Sequence, residues 1–378
     1  MTTAMKKAMT SKGVGNKAQL AAMQALMDQM FGGAIPTLRT IIGEVSCASV
    51  SPRDTVRLAS ELMADLRKGV LVMDGDELVG IVTPKDLLNR VVSKELSPDD
   101  VMVEEVMTAN PACVSPDMTL LEALREMHDQ KFLHLPVREE GGDRRVLGLV
   151  NVVELMCSTA EGDAGGGGHT GWRDFFRGAM DAGDDVSDMS SVRSAGSSSL
   201  QKPKVLPKGG KVSEVKASSN KGPERPVSKL RPKAPVTVAS DASILEVAQA
   251  MTTNRSDAAL LVSSRGELKG ILTDNDITKR VLSKRVEPSC TSVDEVMTKN
   301  PKCVRNEDSA LDALELMVEN KFRHLPVLDK DGAVVGLLDI AKCLYDAISM
   351  MEKIQDKQQQ QQDVSGGSAM TTAMKKAM

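Results

Sequence analysis

Apolar residues recur at three- and four-residue spacing in "TLLEALREM" (119–127) and "SALDALELM" (309–317), the period of an amphipathic helix with one buried face. Thr119 with Glu122, Ser243 with Glu246 and Ser309 with Asp312 stand three apart at the head of such stretches. That is the spacing of a capping box, in which each side chain satisfies an amide left open at a helix start. After the helices the pattern shortens. Aliphatic runs such as "GVLVM" (69–73) and "AALLV" (258–262) are each followed by a polar turn containing Gly and by a second, Gly-led run. Two strands joined by a hairpin, then another helix, fit this pattern. Each unit therefore reads strand, helix, strand, strand, helix, and the fold class is α+β.

The unit occurs four times, because "GIVTPKD", "GLVNVVE", "GILTDND" and "GLLDIAK" begin at Gly80, Gly148, Gly270 and Gly336 in equivalent contexts. A longer repeat lies over it. "KFLHLPV" (131–137) returns as "KFRHLPV" (321–327), and "EVMTANPACV" (105–114) as "EVMTKNPKCV" (295–304), both displaced by 190 positions. Such internal periodicity outranks every other signal and sets two modules, 35–158 and 231–350. One unit of about 50–60 residues buries its faces poorly by itself, so units should pack in pairs. Residues 1–34 form a tail with a short helix, in which Leu20, Met23, Met27, Met30 and Phe31 share a face that packs on its own module or docks elsewhere. The stretch 159–230, rich in Gly, Ser, Pro, Lys and Asp, reads as a disordered linker. Its segment "WRDFFRGAM" (172–180) suits docking onto a module or a partner. Residues 351–378 are a tail with a Gln run and a second copy of the opening "MTTAMKKAM", to which no function is attached.

Composition narrows the functional classes. Hydrophobic residues make up 41% of the 378, enough for aliphatic cores, and no apolar run is long enough to span a membrane. Cytoplasm is the default location, although four Lys and no acid in the first 27 residues keep an organellar address open. A net charge of −4 and 2% aromatics argue against specific nucleic-acid binding. The six cysteines form no CxxC pair, so no metal site is expected. Gly166, Gly168 and Gly171 match GxGxxG formally, but no strand precedes them. No nucleophile–base pair or Walker loop is present, so the chain does not read as an enzyme.

With four Gly-led units, two "VMT.NP..V" boxes and two "HLPV" boxes, the chain resembles proteins with four cystathionine-β-synthase-type (CBS) motifs in two tandem pairs. It is similar to plant, algal and fungal proteins that carry two such pairs before a Phox-Bem-type domain, a domain not legible after Lys357. The resemblance implies two pseudo-symmetric tandem-pair discs whose clefts hold AMP, ADP, ATP or S-adenosylmethionine without converting it. It implies no required cofactor, homodimerisation through the discs, and a protein partner that reads the bound state. A scaffold that dimerises without nucleotide is the alternative.

The family pattern sets a Thr or Ser and an Asp after the Gly, the carboxylate accepting ribose hydroxyls and the Thr anchoring sugar or phosphate. Thr83 with Asp86 and Thr273 with Asp276 match it; the competing reading is that each pair merely caps a helix. The second and fourth units depart, with Asn151 and Glu154, and Asp339 and Lys342, in these places. Asn151 or Asp339 could still accept a hydroxyl, whereas Lys342 only donates. Basic residues are distributed the other way: Arg323 and His324 lie in the fourth unit, while the third carries Ala258 and Ala259 at the matching places. The first unit offers Arg67 and Lys68. His324 beside Arg323 reads as a phosphate contact, and His134 beside Leu133 as a neutral strand-entry residue with ligand contact as its alternative.

Overall fold

The computed structural model describes residues 36–42, 48–66, 68–141, 145–158, a few positions between 173 and 180, and 225–350. Arg67, the amphipathic stretch 18–31, the tail after 350 and most of the linker lie outside the described residues. The chain divides into two compact units, one of which joins residues 36–162 with 215–342 and contains the hairpins of all four repeats. In the other unit, residues described between 173 and 180 are helical, with Phe176 and Met180 buried.

After a short entry helix α1 (Leu38–Ile42), the first repeat runs β1 (Ser49–Val50), α2 (Val56–Leu66), β2 (Val70–Asp74), β3 (Glu77–Val82) and α3 (Pro84–Arg90). The second adds α4 (Val103–Val106), β4 (Thr108–Ala109), α5 (Leu120–Gln130), β5 (His134–Arg138), β6 (Val146–Asn151) and α6 (Val152–Ser158). In the third, β7 (Thr237–Ala239), α7 (Ile244–Thr253), β8 (Ala258–Val262) and β9 (Leu268–Thr273) lead into α8 (Asp274–Asp276), which continues as a π-helix over Ile277–Leu282. The fourth comprises β10 (Thr298–Lys299), β11 (Val304–Arg305), α9 (Ala310–Glu319), β12 (His324–Leu328) and β13 (Val334–Asp339), followed by helix over residues 340–350.

The strand–helix–strand–strand–helix order expected from the pattern is therefore present. In each repeat the central hairpin is antiparallel and carries a bulge near its turn, at Val72/Met73, Val137/Arg138, Leu261/Val262 and Val327/Leu328. A bulge increases local twist, and its fourfold recurrence shows one backbone solution reused. The capping boxes form as well: Thr119 and Ser243 each exchange bonds with Glu122 and Glu246 across the helix start, and Ser309 Oγ accepts the amide of Asp312.

Each module is entered through its later repeat. Leu38 N donates to Met118 O, and Thr37 bridges Thr119 ahead of α5. At the equivalent place in the second module, Val227 N donates to Asp308 O and Pro226 bridges Ser309. Residues 225–230, assigned to the linker from composition, are thus ordered at the start of the second pair.

Within a pair, repeats meet sheet to sheet. Leu71 and Ile81 of the first pack on Leu149 of the second, and Ala258, Leu260 and Ile271 of the third on Leu337 of the fourth. The two pairs then meet helix to helix. Val56, Ala59, Met63, Leu87 and Leu88 share one continuous core with Ile244, Val247, Met251, Ile277 and Val281. Arg57 locks this contact: its guanidinium grips Asp99 through two bonds of 3.0 and 2.8 Å and donates to the carbonyl of Leu282. The helical faces of the first and third repeats are therefore buried against each other within one chain.

Candidate functional site

Each candidate Thr lies where a strand ends and a helix begins. Thr83 follows β3; its amide and hydroxyl both donate to Asp86 Oδ2, at 2.9 and 2.6 Å, while its Oγ1 accepts the Asp86 amide. Thr273 and Asp276 repeat this at 3.0 and 2.8 Å. The cap reading is thus realised in both. The other carboxylate oxygen faces an arginine one turn on, Arg90 at 3.5 Å and Arg280 at 3.4 Å. Those arginines also donate to carbonyls of the segment ahead of the short strands β4 and β10, Arg90 to Val106 O and Met107 O and Arg280 to Val296 O.

Both Thr/Asp pairs open onto one cavity of about 1550 Å³, walled by all four repeats. The two modules do not keep separate clefts for these residues. The repeated heptapeptides supply part of the wall: Lys131, which caps α5, and Lys321, just past α9, are in left-handed backbone (φ 59° and 53°) and turn Phe132, His134, Phe322, Arg323 and His324 into it. Lys279 and Arg280, on the π-helix, also line it, in keeping with the tendency of π segments to mark functional places.

His134 and His324 open β5 and β12. Burial first, then the nearby Arg323, pulls both imidazoles down to about 4. They are neutral at physiological pH and can offer a ligand a hydrogen bond but not a charge.

Arg323 is the centre of an ion cluster. It donates to Asp339 through Nε (3.2 Å) and Nη2 (3.0 Å), and its Nη2 also reaches Asp257 Oδ2 at 2.7 Å. Lys233 stands 3.4 Å from Asp339, and Lys85, from the first pair, 2.8 Å from Asp257 Oδ1. Burial opposes ionisation of Asp339, but Arg323 outweighs it and holds the carboxyl well below the usual range. Asp274, beside this cluster on the cavity wall, is pushed up to about 7, by burial and then by Asp257.

Of the eight residues selected from sequence, the structure brings Thr83, Asp86, His134, Thr273, Asp276, Arg323 and His324 to the cavity wall. Asp339 is not on it: both of its oxygens are engaged, by Arg323, Lys233 and the amide of Ala341, so it serves as the counter-ion of Arg323. Asn151 accepts the Glu154 amide at 2.9 Å as a helix cap, Glu154 pairs with Lys68 at 3.2 Å, and Lys342 donates to Arg231 O.

Asp257, Asp274 and Lys85 were missed. The matching of Arg323 and His324 with Ala258 and Ala259 was one residue out of register. His324 pairs with Asp339 and Ala258 with Thr273, so Ala258 takes the place of His324 and Asp257 that of Arg323. Lys85 lay in plain view between Thr83 and Asp86, but only the fold sets it against Asp257.

The model of the family described as "CBS domain" matches residues 42–93, 103–158, 227–283 and 293–352. Among curated proteins, the Arabidopsis thaliana CBS domain-containing protein CBSCBSPB3 is 33% identical over 291 residues, covering 75% of this chain and 47% of its own length. The Schizosaccharomyces pombe meiotically up-regulated gene 70 protein is 28% identical over 319 residues, covering 79% of this chain and 42% of its own. The chain spans about half the length of the curated relatives it matches. Among solved structures, protein MJ1225 of Methanocaldococcus jannaschii aligns over 82% of this chain and 99% of its own with a TM-score of 0.52 and 17% identity, a likeness of fold.

Proposed function

The chain belongs to the CBS-domain family, whose paired domains are regulatory modules, and from that premise we propose that its central cavity binds an adenosine-containing ligand and that a partner protein reads the occupancy. The observation that supports this most is that Thr83/Asp86 and Thr273/Asp276, from different pairs, face one cavity together with His134, Arg323 and His324. A carboxylate and a hydroxyl suit a ribose edge, neutral imidazoles can donate to phosphate, and aliphatic walls suit a purine. At about 1550 Å³ the cavity is larger than the roughly 300–1000 Å³ of a typical small-ligand pocket, and each Thr/Asp pair offers its own ribose edge. Chemistry on the ligand is not part of the proposal: binding is the whole activity. The helical faces of the first and third repeats cover each other, so a partner, a second copy of the chain included, would dock elsewhere than on those faces.

One observation favours the scaffold reading instead, namely that the carboxylates of Asp86 and Asp276 and the guanidinium of Arg323 already have internal partners. A thermal-shift panel of AMP, ATP and S-adenosylmethionine on the full chain decides between them. A ligand at 100 times its Kd adds about 2.7 kcal/mol of stability, whereas a flat panel at millimolar concentration supports the scaffold.

A further inference from the structure

By strand register, Lys68, Leu133, Asp257 and Arg323 are the same position in the four repeats, just ahead of the first strand of each hairpin. Asp257 alone of the four is acidic. It is 8% exposed, and its two oxygens are divided between the pairs: Oδ1 lies 2.8 Å from Lys85 Nζ of the first, and Oδ2 accepts from Arg323 of the second at 2.7 Å. Lys85 and Arg323 line the cavity, and Asp257 stands behind them.

We propose that Asp257 is a specificity determinant for ligand charge, a positioning residue that neutralises Lys85 and Arg323 from behind the cavity wall and so limits the number of phosphate-type charges the cavity accepts. This deepens the reading above and rests on it only for the adenosine part of the ligand. The two cations depend on Asp257 unequally. Arg323 keeps Asp339 through two bonds, whereas half-exposed Lys85 is paired with Asp257. Removing the Asp257 charge therefore leaves Arg323 compensated and Lys85 uncompensated. Eight Lys and Arg against four Asp and Glu already line the cavity, so one more uncompensated cation strengthens the field felt by a polyanion far more than that felt by a singly charged group.

The test titrates the full chain with inorganic triphosphate, which needs no adenosine site, and in parallel with ATP and AMP. Asp257→Asn is expected to tighten triphosphate binding and to raise the preference for ATP over AMP by about tenfold. Lys85→Gln, which leaves Asp257 undercompensated, is expected to lower that preference, and the double variant to return it to the wild-type level. Triphosphate affinity and ATP preference unchanged in Asp257→Asn, or no triphosphate binding to either protein, overturns the proposal. Should Asp257→Asn fail to fold, Lys85→Gln decides alone, an unmoved preference being the negative result. If triphosphate binds and responds while adenosine compounds do not bind, the adenosine reading fails and the role of Asp257 stands. If adenosine compounds bind but the preference does not move, the reverse holds.

Discussion

Asp276 accepts both the hydroxyl and the amide of Thr273 through one oxygen, Oδ2, at 2.8 and 3.0 Å. The box that starts the helix therefore leaves Oδ1 outside the cap, 3.4 Å from Arg280. The cap thus uses only one oxygen of Asp276 and leaves the other for the proposed ligand. Asp276, the third residue of the capping box, accepts two bonds from Thr273, so Asp276→Ala should lower stability by about 0.5–1.5 kcal/mol without any ligand, and Asp276→Asn, which keeps an acceptor, by less. Urea denaturation of the unliganded chain checks this; equal losses in the two variants would show that charge, not capping, sets the stability.

Asp274 makes stability depend on pH in an unusual direction. Its carboxyl rises from the ordinary 3.8 to about 7 in the folded chain, through burial and then Asp257, so between these values the folded state holds a proton that the unfolded state has released. Stability from this group is complete below about pH 4 and declines as pH rises through 7. Asp274→Asn should therefore melt about 2 °C or more above wild type at pH 8, with the gap closing towards pH 4. A gap constant with pH would show that Asp274 is ionised throughout.

Arg57 joins the pairs. It is 8% exposed and holds Asp99 and the Leu282 carbonyl together. Arg57→Ala removes charge-assisted bonds and strands a carbonyl, at a cost of about 1.5–3 kcal/mol. The denaturation midpoint should fall accordingly, and a midpoint unchanged within error would mean that the aliphatic helical faces alone hold the pairs together.

A β-carbon at Gly336 would lie 2.5 Å from Pro232 Cβ. The proline ring crosses β13 there because Lys233 bridges Leu337, and a ring cannot rotate away as a long side chain can. Gly336→Ala should destabilise by about 1–3 kcal/mol, measured by thermal or chemical unfolding. A neutral result would show that the entry segment moves freely over the strand.

The repeat was legible because it rests on local chemistry. Capping residues, hairpin glycines and helix period are written in neighbouring letters, and the 190-residue displacement of "KFLHLPV" and "KFRHLPV" revealed the duplication directly. The merging of two pairs around one cavity was not legible. Val56 and Met63 face Ile277 and Val281 across the pairs, and nothing distinguishes such aliphatic residues from those buried within a pair. Asp257 escaped for a related reason. Its equivalence with Arg323 appears only when Ala258 is seen to pair with Thr273 and His324 with Asp339, a register that counting letters from "HLPV" places one residue away.

Calorimetric titration of the full chain with AMP, ATP and S-adenosylmethionine, repeated on the Asp86→Ala/Asp276→Ala double variant, tests the cavity most directly. Saturable binding of at least one of them is predicted in the wild type, with each substitution weakening it about 10- to 100-fold through lost charge-assisted hydrogen bonds in a variant that still unfolds cooperatively. Undiminished affinity in the folded double variant, or no binding to the wild type at millimolar ligand, would contradict it.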